Sequence, residues 1–244
     1  MILKSDAIIL KTIKYGDSSL IVRLFTKNFG KINVIAKGAR KPKNKFSSGL
    51  EPLNILQVNF YNKDNREIQT LKEASQIQST ISFRSNLDKL NIAFVMIDML
   101  DHAVTPNNPA PILFRLITKS FKMLDSCIVN KRHYLWFFMI QLAVQIGFKP
   151  NLSHCEKCTK NLSDGYFNEN LGELYCSDCG ENTQTKISNK SRLILQQFIT
   201  TNIEDIGDFK IDKQNHFEIR QLLWEFMRFH IEGISRVKSL EFIS

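Results

Sequence analysis

Hydrophobic and polar positions change period partway along the chain. In the first 80 residues apolar positions come in short β-branched runs or alternate with polar ones, as strands require. Residues 7–13 predict a strand, and Gly16-Asp17 a turn. Residues 20–26 predict a second strand, Asn28-Phe29-Gly30-Lys31 a turn, and residues 32–36 a third strand. Residues 53–61 alternate with period two, and the turn Asn62-Lys63-Asp64-Asn65 leads into a fifth strand at 68–74.

Near Ser82 the period becomes helical. Leu87, Leu90, Ala93, Phe94, Ile97 and Leu100 recur at three- and four-residue intervals, and Pro106, Pro109 and Pro111 end that pattern. A second helix is marked by Ile112, Leu113, Leu116, Ile117, Phe121 and Leu124. Residues 134–146 are apolar almost all round, which puts this helix at the centre of a bundle, ended by Gly147 and Pro150. Helix returns at 191–202 and from about 215 through Trp224, Met227 and Ile231. The predicted fold is α+β and multidomain: a five-stranded oligonucleotide-binding (OB) barrel, then an α-helical bundle with an inserted four-cysteine module. The predicted boundaries are 1–80 for the barrel, 81–150 and 184–244 for the two parts of the bundle, and 151–183 for the module.

The inserted module is defined by Cys155-x-x-Cys158 and Cys176-x-x-Cys179. Two such hooks at this separation bring four thiolates around one tetrahedral ion, with a hairpin between them at Tyr166-Phe167-Asn168 and Gly172-Glu173-Leu174-Tyr175. The expected cofactor is one structural Zn2+, because four cysteines leave no open position for water. Disulfides fit less well: the chain begins without the charged-then-apolar order of a secretory signal, and Cys127 stands alone. The expected location is the cytoplasm, associated with the nucleoid, with no membrane partner.

Charge changes the picture more than composition does. Residues 1–80 hold 14 Lys and Arg against 6 Asp and Glu, and residues 81–244 hold 19 against 18, so +8 of the net +9 lies in the first third. Lys31, Lys37, Arg40, Lys41, Lys43 and Lys45 fall in fifteen residues that contain no acid. Gly38 and Pro42 keep this stretch out of regular structure, so it predicts a cationic loop beside the barrel that neutralises phosphates. Lys14 and Arg23 extend the patch, and Tyr15, Phe25, Phe29, Phe46 and Tyr61 are the nearby aromatics that can serve either the barrel core or base stacking. The sequence holds no Gly-x-x-x-x-Gly-Lys phosphate loop and no dinucleotide-binding glycine fingerprint, and its five histidines are scattered. Nothing in it argues for catalysis. A metal-dependent nuclease lacks the carboxylate cluster it would need, and Asp98 with Asp101 reads as a helix face.

Several stretches resemble the RecO family of bacterial recombination mediators. They are Tyr15-Gly16-Asp17-Ser18-Ser19, Phe29-Gly30-Lys31-Ile32, Ala36-Lys37-Gly38-Ala39-Arg40-Lys41-Pro42-Lys43, Leu50-Glu51-Pro52-Leu53, and Gly147-Phe148-Lys149-Pro150 leading into Cys155. The resemblance spans nearly the whole chain. It implies a barrel that binds single- and double-stranded DNA and a protein that anneals complementary strands. It also implies help, with RecR, in replacing single-strand-binding protein by the RecA recombinase, with the tail of single-strand-binding protein as a further partner. An RNA-binding module is the alternative, since barrel and loop would treat an RNA backbone similarly.

Overall fold

The computed structural model describes residues 1–44, 46, 49–78, 83, 85–181 and 184–234. Its N-terminal strands are β1 (Ile2–Tyr15), β2 (Ser19–Thr26), β3 (Gly30–Ala36), β4 (Ile55–Tyr61) and β5 (Ile68–Gln78). They close into a barrel in the order β1-β2-β3-β5-β4, with β4 returning to β1. Every pairing is antiparallel except that of β3 with β5. This is the OB-fold architecture. Ile9, Leu24, Val34, Val58, Phe60 and Leu71 are among the side chains that fill it.

β1 is twice the length its apolar run predicts because it serves two partners. Its first half pairs with β4, from Ile2 opposite Tyr61 to Ile8 opposite Ile55, and its second half pairs with β2, ending with Tyr15 opposite Ser19. Lys4 and Asp6 can belong to a strand because the ladder uses backbone groups and leaves alternate side chains outside. The register slips between Ile9 and Lys11, so Leu10 is the extra residue of a β-bulge.

Helix α1 (Leu87–Ala103) starts at Asn86, whose side-chain oxygen accepts from the Lys89 N–H at 3.2 Å. Near its end Asp101 holds two strands of the barrel. Its Oδ2 lies 2.7 Å from Arg23 Nη1, and its Oδ1 lies 3.3 Å from Lys31 Nζ. The loop beyond the helix reinforces this clasp, since the Asn107 N–H donates to the Lys31 carbonyl at 3.0 Å. Gly30 is required here. It has φ +67°, and a Cβ on it would lie 2.2 Å from the Asn108 carbonyl oxygen. Helix α2 (Pro111–Ser126) opens on a proline, whose missing N–H costs nothing in the first turn.

The chain forms two compact units, Met1–Arg115 and a second that begins at Leu116. The second unit contains α3 (Lys131–Gln145), the short strands β6 (Gly165–Asn168), β7 (Glu173–Tyr175) and β8 (Thr185–Ile187), α4 (Asn189–Thr200), a 3-10 turn (Ile203–Asp208) and α5 (Lys213–His230). As its apolar circumference requires, α3 is central, with every residue from His133 to Ile140 buried. It carries one polar chain through the core. Trp136 Nε1 donates to His216 Nδ1 at 3.1 Å, the two Nε2 atoms of His216 and His133 are 3.3 Å apart, and His133 Nδ1 lies 3.4 Å from the Ile206 carbonyl. One proton on His216 Nε2 and one on His133 Nδ1 satisfy all three links with both rings neutral. Among the described residues no helix is long and apolar enough to cross a membrane.

Candidate nucleic-acid interface and metal site

The loop between β3 and β4 begins as two tight turns. Gly38 at φ +70° permits the first, and the Lys41 N–H donates to the Gly38 carbonyl at 3.1 Å. Lys37, Arg40, Lys41 and Lys43 are all exposed, while Lys45 lies outside the described residues. The loop is fixed at both ends. Phe46 and Leu50 are buried in the barrel core. At the other side the Arg40 N–H donates to the Ser18 carbonyl at 2.9 Å, and Arg40 Nη1 donates to the Gly16 carbonyl at 3.0 Å. The β1–β2 turn is thereby tied to the basic loop, which brings Lys14 and Tyr15 to the same end of the barrel as Lys37, Arg40, Lys41 and Lys43. Lys31 and Arg23 sit elsewhere, half-buried against Asp101, where the carboxylate offsets their charge.

The aromatics divide cleanly. Phe25 and Phe46 are buried, and Phe29 packs edge-on against Phe60 with ring centres 5.6 Å apart. Tyr15 and Tyr61 are exposed, but they stand at opposite ends of β1, since Tyr61 is the partner of Ile2. Only Tyr15 shares the cationic end. No sequence signal short of the tertiary link through Arg40 selects it from the five.

The four cysteines converge as their spacing predicts. The sulfurs of Cys155, Cys158, Cys176 and Cys179 all lie within 4.8 Å of one another, and those of Cys158 and Cys176 are 3.7 Å apart. A tetrahedron with metal–sulfur bonds of about 2.3 Å has edges of about 3.8 Å, so the set fits one metal ion. Burial pushes the Cys155 thiol up, but the Cys176 and Cys158 backbone donors outweigh it and bring it down to about 6. Cys179, facing first Cys176 and then the cost of burial, is pushed up to about 12. Thiols held this close compete for one negative charge, and a bound cation removes that competition.

The module is built to hold this geometry. The Thr159 N–H donates to the Cys155 carbonyl at 2.8 Å, and the Gly180 N–H to the Cys176 carbonyl at 2.7 Å, closing a turn at each hook. The intervening hairpin pairs Tyr166 with Tyr175 and Phe167 with Leu174, and β8 adds a third strand that the sequence pattern did not reveal. Gly180 lets the Tyr166 ring pass, since a Cβ there would lie 2.6 Å from it. The first hook is also clamped to α4. Arg192, buried in that helix, donates from Nη1 to the Leu152 carbonyl at 2.7 Å and from Nη2 to the Leu162 carbonyl at 2.9 Å. A lone arginine in a helical pattern gives no hint of this role.

Comparison with known proteins covers nearly the whole chain. The family model described as recombination protein O N terminal matches residues 1–80, and that described as recombination protein O C terminal matches residues 84–241. The DNA repair protein RecO of Chloroherpeton thalassium is 30% identical, with 99% of this chain and 97% of the relative covered. That of Prosthecochloris aestuarii is 28% identical over 100% and 97%, and that of Acetivibrio thermocellus 29% identical over 94% and 92%.

Proposed function

Because the chain belongs to the recombination protein O (RecO) family, we propose that it is a non-enzymatic DNA-binding protein of recombinational repair in the bacterial cytoplasm. It binds single- and double-stranded DNA, anneals complementary strands and, with RecR, helps exchange single-strand-binding protein for recombinase. The observation that carries this reading is the anchored cationic end of an OB barrel, with Lys37, Arg40, Lys41 and Lys43 exposed on one loop. Lysines placed there screen the repulsion between two phosphate backbones, which is the main obstacle to pairing them. They position DNA without reading its sequence.

The four-cysteine site holds Zn2+, which supplies a structural crosslink and no reactive position. Arg192, the hairpin and the two turns pre-form the site, so metal binding there contributes directly to folding.

Replacing Lys37, Lys41 and Lys43 together by alanine tests the DNA-binding reading. The variant keeps Arg40 and with it the link to the β1–β2 turn. Binding should weaken across sequences. The slope of log affinity against log salt should become shallower by about 2 on single strands and about 3 on duplex, at roughly 0.7–0.9 per contact. A folded variant with unchanged affinity and slope would refute it. An RNA of the same length, run in parallel, separates this reading from an RNA-binding module.

A further inference from the structure

The β-bulge in β1 has a consequence for the outer face of the barrel. Before it, Ala7 and Ile9 point into the core and Ile8 points out. Without the extra residue at Leu10, odd positions would stay inside and Tyr15 would enter the core end. With it, the parity reverses: Thr12 pairs with the buried Val22, while Lys11, Ile13 and Tyr15 turn outward. The reversal builds an ordered surface across three strands. Ile13 stands opposite Ile21, and Ile21 opposite Ile35, which gives an apolar row. Tyr15 lies above that row on β1, and Lys11 below it opposite Arg23. Tyr15 is 55% exposed and Ile13 46%. Lys11 on the same face and Lys37, just past the end of β3, are exposed as well.

An exposed aromatic beside an apolar row leaves apolar surface in water, and Tyr15 is not among the side chains that fill the barrel. Cations on its borders and the basic loop at its end select a polyanion with apolar faces. Unpaired nucleobases on a phosphate backbone meet that description. A duplex does not, because its bases are stacked on one another and only its phosphates and grooves are outside. We propose that Tyr15, with the Ile13–Ile21–Ile35 row as its floor, is a base-stacking contact specific for single strands. Arg40, through its bond to the Gly16 carbonyl, is the residue that positions it. This inference rests on the DNA-binding reading above and divides the labour within it: the lysines serve both forms of DNA, and Tyr15 serves only the unpaired one.

The test compares full-length wild type, Tyr15→Ser and Tyr15→Phe on three probes of equal length: a single-stranded DNA, its duplex, and a single strand of abasic sites. Tyr15→Ser should weaken single-strand binding about 5- to 150-fold, the span one stacked base is worth. Its duplex and abasic binding should stay within about twofold of wild type, and its salt slope should not change, since no phosphate contact is lost. Tyr15→Phe should match wild type, because the ring and not the hydroxyl makes the contact. Equal single-strand binding by a folded Tyr15→Ser overturns the inference and leaves the DNA-binding reading standing. Equal weakening on all three probes also overturns it, because it would mark a general electrostatic or structural role. Absence of binding by wild type to any probe overturns both readings.

Discussion

The neutral histidine chain in the helical unit predicts that this protein loses stability in mild acid. His133 is held well below its ordinary 6.5, at about 4, first because burial disfavours the charged ring and then because His216 repels it, with the Ile206 carbonyl acting the other way. The sign follows. Between about 6.5 and about 4 the unfolded chain binds a proton that the fold refuses, so stability is full above pH 6.5 and falls as the pH drops toward 4. The gap amounts to about 3 kcal/mol at pH 4, and about 2 kcal/mol of it is already gone at pH 5. The bonding pattern agrees, because a second proton on His133 Nε2 would face the N–H of His216 at 3.3 Å. His216 is lowered too, by burial and then by Arg132, against Asp212, so it adds in the same direction. Urea unfolding of wild type and His133→Gln at about pH 7.5 and pH 5 measures the effect as a double difference. The cysteine cluster and the carboxylates titrate in both proteins and cancel. Wild type should lose about 2 kcal/mol more than the variant between the two conditions. An NMR titration of the His133 ring gives the direct reading. A folded-state midpoint near 6.5, or equal acid loss by both proteins, would refute the argument.

Three further outcomes follow from the packing. Cys176→Ser leaves three thiolates, so bound metal should fall below one per chain by elemental analysis, and melting of the helical unit should move down by more than about 5 °C. Unchanged metal content and melting would reject the four-ligand set. Arg192→Met strands two loop carbonyls beside the first hook and should cost about 2–4 kcal/mol in urea unfolding, with a measurable fall in zinc affinity against a competing chelator. Asp101→Asn leaves Lys31 and Arg23 half-buried without a carboxylate and should destabilise the barrel unit by about 1–3 kcal/mol. That loss should be largely retained at high salt, which separates it from a surface pair.

Much of this architecture was legible where a local rule decides it. Alternation at 53–61 gave β4, helical spacing or an apolar circumference gave α1 to α5, and two hooks gave the cysteine site, because each depends on neighbours in sequence. The features that escaped depend on partners distant in the chain. Lys4, Ser5 and Asp6 do not read as strand, yet pairing with residues 57–59 of β4 makes them one. Arg23 and Lys31 read as free cations because Asp101, 70 residues beyond Lys31, is not visible from their positions. Tyr15 looked like any other barrel aromatic because a bulge at Leu10 leaves no mark in the apolar pattern. Arg192 carries no local signal, because the Leu152 and Leu162 carbonyls it binds lie 40 and 30 residues away in the chain.

The strand order also sets a sequence of events in folding. The β1–β2 and β2–β3 hairpins form from neighbours a few residues apart. Closure must bring Ile2 to Tyr61 and Asn33 to Ile68, and it pays the chain entropy of long loops before those contacts return anything. The segment that must be ordered to achieve this contains the cationic loop, whose like charges oppose compaction while the chain is open. Closure therefore has to order a loop of like charges, and its rate should rise with the ionic strength of the solution in which the barrel folds.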